Sequence, residues 1–222
     1  MPTLTDDQLK RDYLNYLKWT EPVALMLALV EEGDQALRVV KLAMDGVDLM
    51  LGARLAGEVK DSFQSQTVDW INAREIPNIL KVDCWATSHS DEAIPDLLQA
   101  LQHPDSEVRR SAAAALGKVG SGLAIPGLLE ALQDQDSEVR RSAAAALGNL
   151  GSEAAIPGLL QALQDQNWSV RESAAAALGK VGSAATITDL WQLHLRQPAP
   201  YLKNAIAAIQ NRCQFYNPVL QR

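Results

Sequence analysis

The sequence predicts an all-α chain whose larger part is an α-solenoid of stacked antiparallel helix pairs. Three observations predict it. Ser106–Gly117, SEVRRSAAAALG, returns letter for letter at Ser137–Gly148 and, as WSVRESAAAALG, at Trp168–Gly179. An Ile-Pro pair precedes each copy: Ile94, Ile125 and Ile156 are spaced 31 residues apart, and Ile187 continues the spacing with Thr188 where the proline was. Each period also carries two amphipathic helical stripes. A fixed period of this size marks a repeat array, in which each unit buries its apolar stripe only against its neighbours.

The N-terminal region, residues 1–90, is predicted as irregular helices packing on the array. Residues 5–20 read as a helix, with Thr5 as cap, Asp6 and Asp7 in the first turn, and Leu9, Tyr13, Leu14 and Leu17 on one face. Pro22 opens a second helix to about Glu32, and its apolar run Pro22–Val30 is too short for a membrane span and reads as a buried helix. A third covers Asp34–Met44, with Leu37, Val40 and Met44 inward and Val39 and Leu42 flanking. Asp48–Val59 and Asp61–Ala73 make a fourth and fifth. Gly52 and Gly57 in the fourth are expected to serve close helix packing rather than a phosphate loop, since their spacing is not a Walker motif and no GKS or GKT occurs. A short helix begins at Pro77.

The array proper, residues 91–183, is predicted as three repeats. In the first, Ile94, Leu97, Leu98 and Leu101 form the i, i+3, i+4, i+7 stripe of one helix. Val108, Ala112, Ala115, Leu116 and Val119 form the stripe of the second. The alanine runs Ala112–Ala115, Ala143–Ala146 and Ala174–Ala177 combine high helix propensity with small size, so paired helices can approach closely. Gly117, Gly148 and Gly179 read as helix stops, with extension of the turn through Lys118-Val119-Gly120 as the alternative, and Ser121, Ser152 and Ser183 as caps of the following unit. The last pair, residues 184–222, is predicted as a terminal cap. It has Ile187, Leu190, Trp191 and Leu195 inward on its first helix, and Leu202, Ala205, Ile206, Ile209 and Cys213 inward on its second.

Composition narrows the function classes. The chain has 222 residues, 47% hydrophobic, enough for a sizeable core. Its net charge of −7 disfavours general nucleic-acid binding and anionic membrane surfaces. Residues 91–183 hold 12 acids against 7 bases, and only the tail (Arg196, Lys203, Arg212 and Arg222 against Asp189) is locally basic. Two cysteines, Cys84 and Cys213, without a partner motif fit a reducing, cytoplasmic setting and buried, inert thiols. The N-terminus is too polar for a signal peptide. His89, His103 and His194 are scattered and read as structural or solvent-facing. No spacing of His, Cys, Asp or Glu suggests a catalytic constellation, a metal site or a cofactor, so a non-enzymatic role is expected.

The pattern AIPxLLxAL followed by DxxxVRxxAAxALGxxG, over about residues 91–183, closely resembles the short HEAT-like repeats of the phycobilin-lyase type. Ordinary HEAT units are longer, roughly 40–47 residues. The resemblance implies an α-solenoid with its second helices along a concave face. It also implies a structural ladder in which Arg109, Arg140 and Arg171 pair with acidic turn residues such as Asp105 and Asp136, the third unit having Asn167 at that place. The flanks LNYLKWTEPVALMLALVEE, DLMLGARLAGEVKDSFQ and AIAAIQNRCQFYN look like segments that follow the nucleotide-binding core of bacterial NACHT-type signalling ATPases. Because a P-loop is absent, that resemblance implies a detached C-terminal sensor region or a stand-alone relative, which recognises a trigger or partner.

The candidate partner-binding residues lie in the second helices, away from the apolar stripe. Arg110 is rotated by about 200° from Val108 and is expected to face outward, with Arg141 and Glu172 as its equivalents. Glu107, Glu138 and Ser169 form a neighbouring row. A plain solvated face would instead hold i, i+3 pairs such as Glu107–Arg110 and Glu138–Arg141, worth a few tenths of a kcal/mol. Trp168 replaces Ser106 and Ser137, and reads either as a binding hot spot or as packing against the neighbouring turn. The leading functional expectation is a scaffold for a protein partner. A bilin lyase or isomerase component binding a tetrapyrrole is a second reading, and nucleic-acid binding by a concave face a third.

Overall fold

The computed structural model describes residues 4–16 and 20–215. Leu17 of the predicted first stripe, Lys18 and Trp19 of the first flank, Tyr216 and Asn217 of the last, and Arg222 of the basic tail lie outside them. The chain divides into two compact units, Met1–Leu97 and Leu98–Arg222.

In the first unit, Thr5 caps α1 (Asp6–Leu9) through a reciprocal capping box with Gln8. The helix then widens into a π-turn, Lys10–Leu14, so the predicted single helix is shorter and changes winding. α2 (Thr20–Leu29) buries Val23, Ala24 and Leu27 but exposes Leu25, Met26 and Leu29. The expected buried helix is therefore covered on one face only. α3 (Gly33–Gly46) packs against α4 (Leu49–Ala56), which packs against α5 (Asp61–Asn72) and α6 (Asn78–Ser88). Asp48 caps α4 by accepting from the Leu51 amide at 2.8 Å. A Cβ at Gly52 would collide with the Met44 backbone, and one at Gly57 with the Ser88 carbonyl. Both glycines thus serve close approach. Trp85, in the core, donates to Asn72 Oδ1 at 3.0 Å, which satisfies its one polar atom.

α7 (Ile94–Ala100) spans the division between the units. The second unit continues with α8 (Ser106–Val119), α9 (Ile125–Ala131), α10 (Ser137–Leu150), α11 (Ile156–Ala162), α12 (Trp168–Val181), α13 (Ala184–Arg196) and α14 (Pro200–Phe215). The pairs α9/α10, α11/α12 and α13/α14 form hairpins, and α8, α10, α12 and α14 stack in sequence. This is an all-α solenoid of stacked helix pairs. A 3-10 turn precedes each Ile-Pro helix, at Asp91–Ala93, Gly122–Ala124 and Glu153–Ala155. Ser90 and Ser152 cap these turns, and the proline follows in the first helical turn, where its missing N–H costs nothing. Ser121 makes no such cap.

The glycines expected to stop the second helices do not stop them. α8 runs on to Val119 and α10 to Leu150, where Gly120 (φ 82°) and Gly151 (φ 70°) take the left-handed cap conformation. Gly117 and Gly148 are instead buried contact points. A Cβ at Gly117 would lie 2.7 Å from Ala146 Cα, and one at Gly148 2.8 Å from Ala177 Cα. Ala112, Ala115, Leu116 and their equivalents are buried, as the stripe required, while Val119 is half-buried.

The last pair corrects a second expectation. Leu190 is buried, but Trp191 and Leu195 are exposed, and α13 turns Thr186, Leu190 and His194 inward instead. These three recur at i, i+4, i+8, an equally good helical face, and the neighbouring helix selects it. On α14, Leu202, Ala205, Ile206 and Ile209 are buried and Cys213 is half-buried.

Candidate functional site

Two rows of side chains run along the second helices, one buried to half-buried and one more exposed. The buried row begins at Arg109, whose side chain is only 7% exposed. Its Nε and Nη2 donate to Asp134 Oδ2 and Oδ1 at 2.7 and 2.9 Å, and its Nη1 donates to the His103 and Pro104 carbonyls. Arg140 repeats the arrangement on Asp165, at 2.7 and 3.0 Å, and on the carbonyls of Asp134 and Gln135. Each arginine therefore ties its own turn to the turn of the next repeat.

The acids of this ladder are not the expected ones. Asp105 and Asp136 are helix caps, accepting from the amides of Glu107 and Glu138 at 2.9 and 2.8 Å. A cap must lie beside its own helix N-terminus, whereas the guanidinium reaches across to the next turn. The sequence held a usable signal: Asp134 and Asp165 are themselves 31 residues apart, and each follows its arginine by 25. Burial pushes the Asp134 carboxyl up, but the Arg109 fork, the Asp136 amide and the guanidinium charges of Arg109 and Arg140 outweigh it and hold the group below the usual carboxylate range. Asp165 is held low mainly by its bond from Arg140. Both arginines are raised by the same forks.

Arg171 ends the row differently. Its Nη1 donates to the carbonyls of Asp165 and Gln166 at 2.7 and 2.9 Å, but its Nε meets the Tyr201 hydroxyl at 3.3 Å. Asn167 caps α12 through the Ser169 amide.

The exposed row is that of Glu107, Arg110, Glu138 and Arg141. Glu107 pairs with Arg110 at 2.7 Å and Glu138 with Arg141 at 2.8 Å, each at i, i+3. In the third repeat Glu172 is exposed and Ser169 half-buried, so neither pair recurs. Trp168 is 63% exposed, whereas Ser106 and Ser137 are half-buried.

Polar grooves open between successive turns. One of about 500 Å³ is lined by Arg109, Asp134 and neighbouring glutamines, one of about 570 Å³ by Arg140, Asp165 and their neighbours. A third, of about 790 Å³, lies at the last turn and includes Arg171, Arg196 and Tyr201.

The remaining reactive groups have local structural surroundings. Cys84 is buried beside Met50, and burial pushes its thiol up to about 11, away from the thiolate a nucleophile needs. His194 is buried, accepts from the Ala199 amide at 3.2 Å and meets Trp191 edge-on. His103 Nδ1 accepts from the Asp105 amide at 3.1 Å. Among the described residues no group of three or more His, Cys, Asp or Glu could hold a metal ion, and no helix is long and apolar enough to cross a membrane.

Comparison with known proteins places this geometry. The family model for HEAT repeats matches residues 81–145 and 125–210. No curated protein matches the chain. Among solved structures, the chain is similar to the HEAT-like repeats protein from the archaeon Thermococcus onnurineus NA1, at 16% identity over 94% of this chain and 98% of that one, with a TM-score of 0.48. It is likewise similar to YibA from Escherichia coli (18% identity, 93% of each chain, TM-score 0.46) and to an engineered protein (20% identity, 92% of each chain, TM-score 0.44). With a repeat period of 31 residues and a family match over more than half its length, the chain belongs to the HEAT-repeat family.

Proposed function

We propose that the chain is a non-enzymatic protein-interaction scaffold that holds its partner on the exposed row of the second helices, with specificity in the third repeat. HEAT-repeat solenoids generally serve as protein-interaction scaffolds, and this sequence sets one repeat apart. The observation that carries the reading is Trp168, 63% exposed where the other repeats place a half-buried serine. A large, rigid aromatic at the surface gains much by desolvation and loses little side-chain entropy on binding. Glu172 in place of Arg110 and Arg141 adds a change of charge beside it.

The finer proposal is that the partner is a NACHT-type signalling ATPase or its trigger, with this chain as the sensor. The three flank segments that look like those of such ATPases support it.

A photo-crosslinking residue at position 168, compared with one at the exposed Ala154 in the 3-10 turn before α11, outside the second helices, tests the scaffold reading in the native cell. A discrete adduct from position 168 alone is the expected result. Once that partner is identified, Trp168→Ala should weaken binding by about thirtyfold, the size of a hot-spot truncation of about 2 kcal/mol, while the melting temperature stays nearly unchanged. Equal adducts at both positions, or undiminished binding, would overturn the reading. An ATPase encoded beside or fused to this chain, and recovered as the adduct, would support the finer proposal. An unrelated protein there would end it.

A further inference from the structure

The arginine ladder changes at one rung. Asp134 and Asp165 supply the carboxylates for Arg109 and Arg140, and the same position one period later is Arg196. Each of those carboxylates also accepts a backbone amide two residues on, from Asp136 at 2.8 Å and Asn167 at 2.7 Å. One period later that residue is Pro198, which has no amide hydrogen. The last repeat has therefore lost both the acid and the donor that anchors it.

Arg171 is nevertheless held as its counterparts are. Its Nη1 takes the two turn carbonyls in the same way, which leaves its Nε–Nη2 edge facing the last groove. That edge forks onto a carboxylate in the two preceding repeats. Here it meets the Tyr201 hydroxyl, and among the described residues no carboxylate forks onto Arg171, although its charge acts on Asp165. Arg196 lines the same groove. Asp165 lines it too, but its carboxylate is already committed to Arg140 and the Asn167 amide. The groove thus gathers two cations and a hydroxyl around the place where the fold elsewhere puts an aspartate.

We propose that the groove bounded by Arg171, Arg196 and Tyr201 is a binding site for an acidic side chain of a protein partner, which completes the ladder from outside. A planar carboxylate fits the fork of a guanidinium, as Asp134 and Asp165 demonstrate within this chain. The partner's carboxylate would take the Nε–Nη2 edge of Arg171, with Arg196 supplying the second charge and the Tyr201 hydroxyl a further donor. The proposal deepens the scaffold reading by giving one part of the partner a chemistry, and it does not depend on Trp168.

The probe is an acetylated, amidated peptide of the Leu160–Asn167 sequence, LQALQDQN, the segment that presents Asp165 to Arg140. It is titrated into the full chain while the arginine Nε–H signals are followed by NMR. A saturable shift of the Arg171 signal is expected, weakened about tenfold or more when the peptide's aspartate is replaced by asparagine. Arg196→Asp should supply the missing rung internally, move the free Arg171 signal towards that of Arg140, and abolish peptide binding. Arg196→Ala, which needs no new contact in order to fold, should weaken it severalfold. Equal binding of the asparagine peptide, unchanged binding by both variants, or no saturable shift up to about 10 mM peptide would overturn the proposal. Inorganic phosphate shifting Arg171 at lower concentration than the peptide would also overturn it, in favour of a phosphate site. Trp168→Ala should bind the peptide as wild type does, so loss of the Trp168 surface and loss of this groove are separable outcomes.

Discussion

Arg109 and Asp134 stand 25 residues apart in the chain and meet in a two-bond fork of 2.7 and 2.9 Å that is almost closed to solvent. The fork joins the turn of one repeat to the turn of the next. It complements the apolar stacking of α8 on α10 with a directional contact that fixes the register between them.

Breaking that fork from one side should be costly. Asp134→Ala leaves the Arg109 guanidinium buried with only two carbonyls, and a loss of about 3–5 kcal/mol is expected for a buried pair broken in this way. Chemical denaturation of the full chain checks it. Asp105→Ala, which removes a helix cap rather than the ladder acid, should cost only about 1 kcal/mol. The reverse ranking would return the ladder to the acids first expected.

The ladder should also make stability fall in acid. Asp134 and Asp165 are held below the usual carboxylate range in the folded chain. The unfolded chain therefore binds these two protons more readily. The stabilisation is complete above the unfolded value of about 4 and is lost as pH falls through the lower folded values. Urea midpoints measured between pH 7 and pH 2 should hold down to about pH 4–5 as regards these groups and then drop. Asp134→Asn should flatten the drop.

The buried glycines should respond to alanine in two ways. A Cβ at Gly117 meets the Ala146 backbone at 2.7 Å, so Gly117→Ala should force α8 from α10 and cost about 1–3 kcal/mol despite alanine's better helix propensity. At Gly179 the nearest atom is the Cβ of the exposed Ala208, at 3.2 Å. Gly179→Ala should therefore be much milder, near neutral in thermal unfolding. Equal losses at the two sites would count against close backbone approach as the cause.

Overpacking on the same face should behave alike. Ala112 and Ala115 are both buried against neighbouring helices, and Ala112→Leu or Ala115→Leu should each cost about 1–3 kcal/mol. An unchanged melting temperature in either variant would sink the argument that alanine is there for its size.

The two thiols should differ in reactivity. Cys84 is buried and its thiol is pushed up to about 11, whereas Cys213 is half-buried. Alkylation of the native chain at pH 8 should label Cys213 first and Cys84 only on unfolding, as mass mapping would show. Rapid labelling of Cys84 in the native chain would contradict its burial.

Much of this molecule was legible in its residues. The 31-residue period, the Ile-Pro starts and the Val108–Ala112–Leu116 stripe determine a stacked array, because repeating amphipathic hairpins have no other place to bury their apolar faces. Local chemistry also determined the Thr5 and Asp48 caps, whose donors lie within three residues.

What spans repeats was decided only in three dimensions. Asp105 and Asp134 are equally acidic turn residues, and the distance across a stacked turn, not their type, makes one a cap and the other the partner of Arg109. Gly117 looks like a helix stop until the neighbouring helix is placed 2.7 Å from where its Cβ would be. On α13, Trp191 and His194 each belong to a plausible apolar face, and only the packing of α14 chose the face that buries His194. Sequence specifies what each helix can bury; which atoms of another repeat arrive there is a property of the stack.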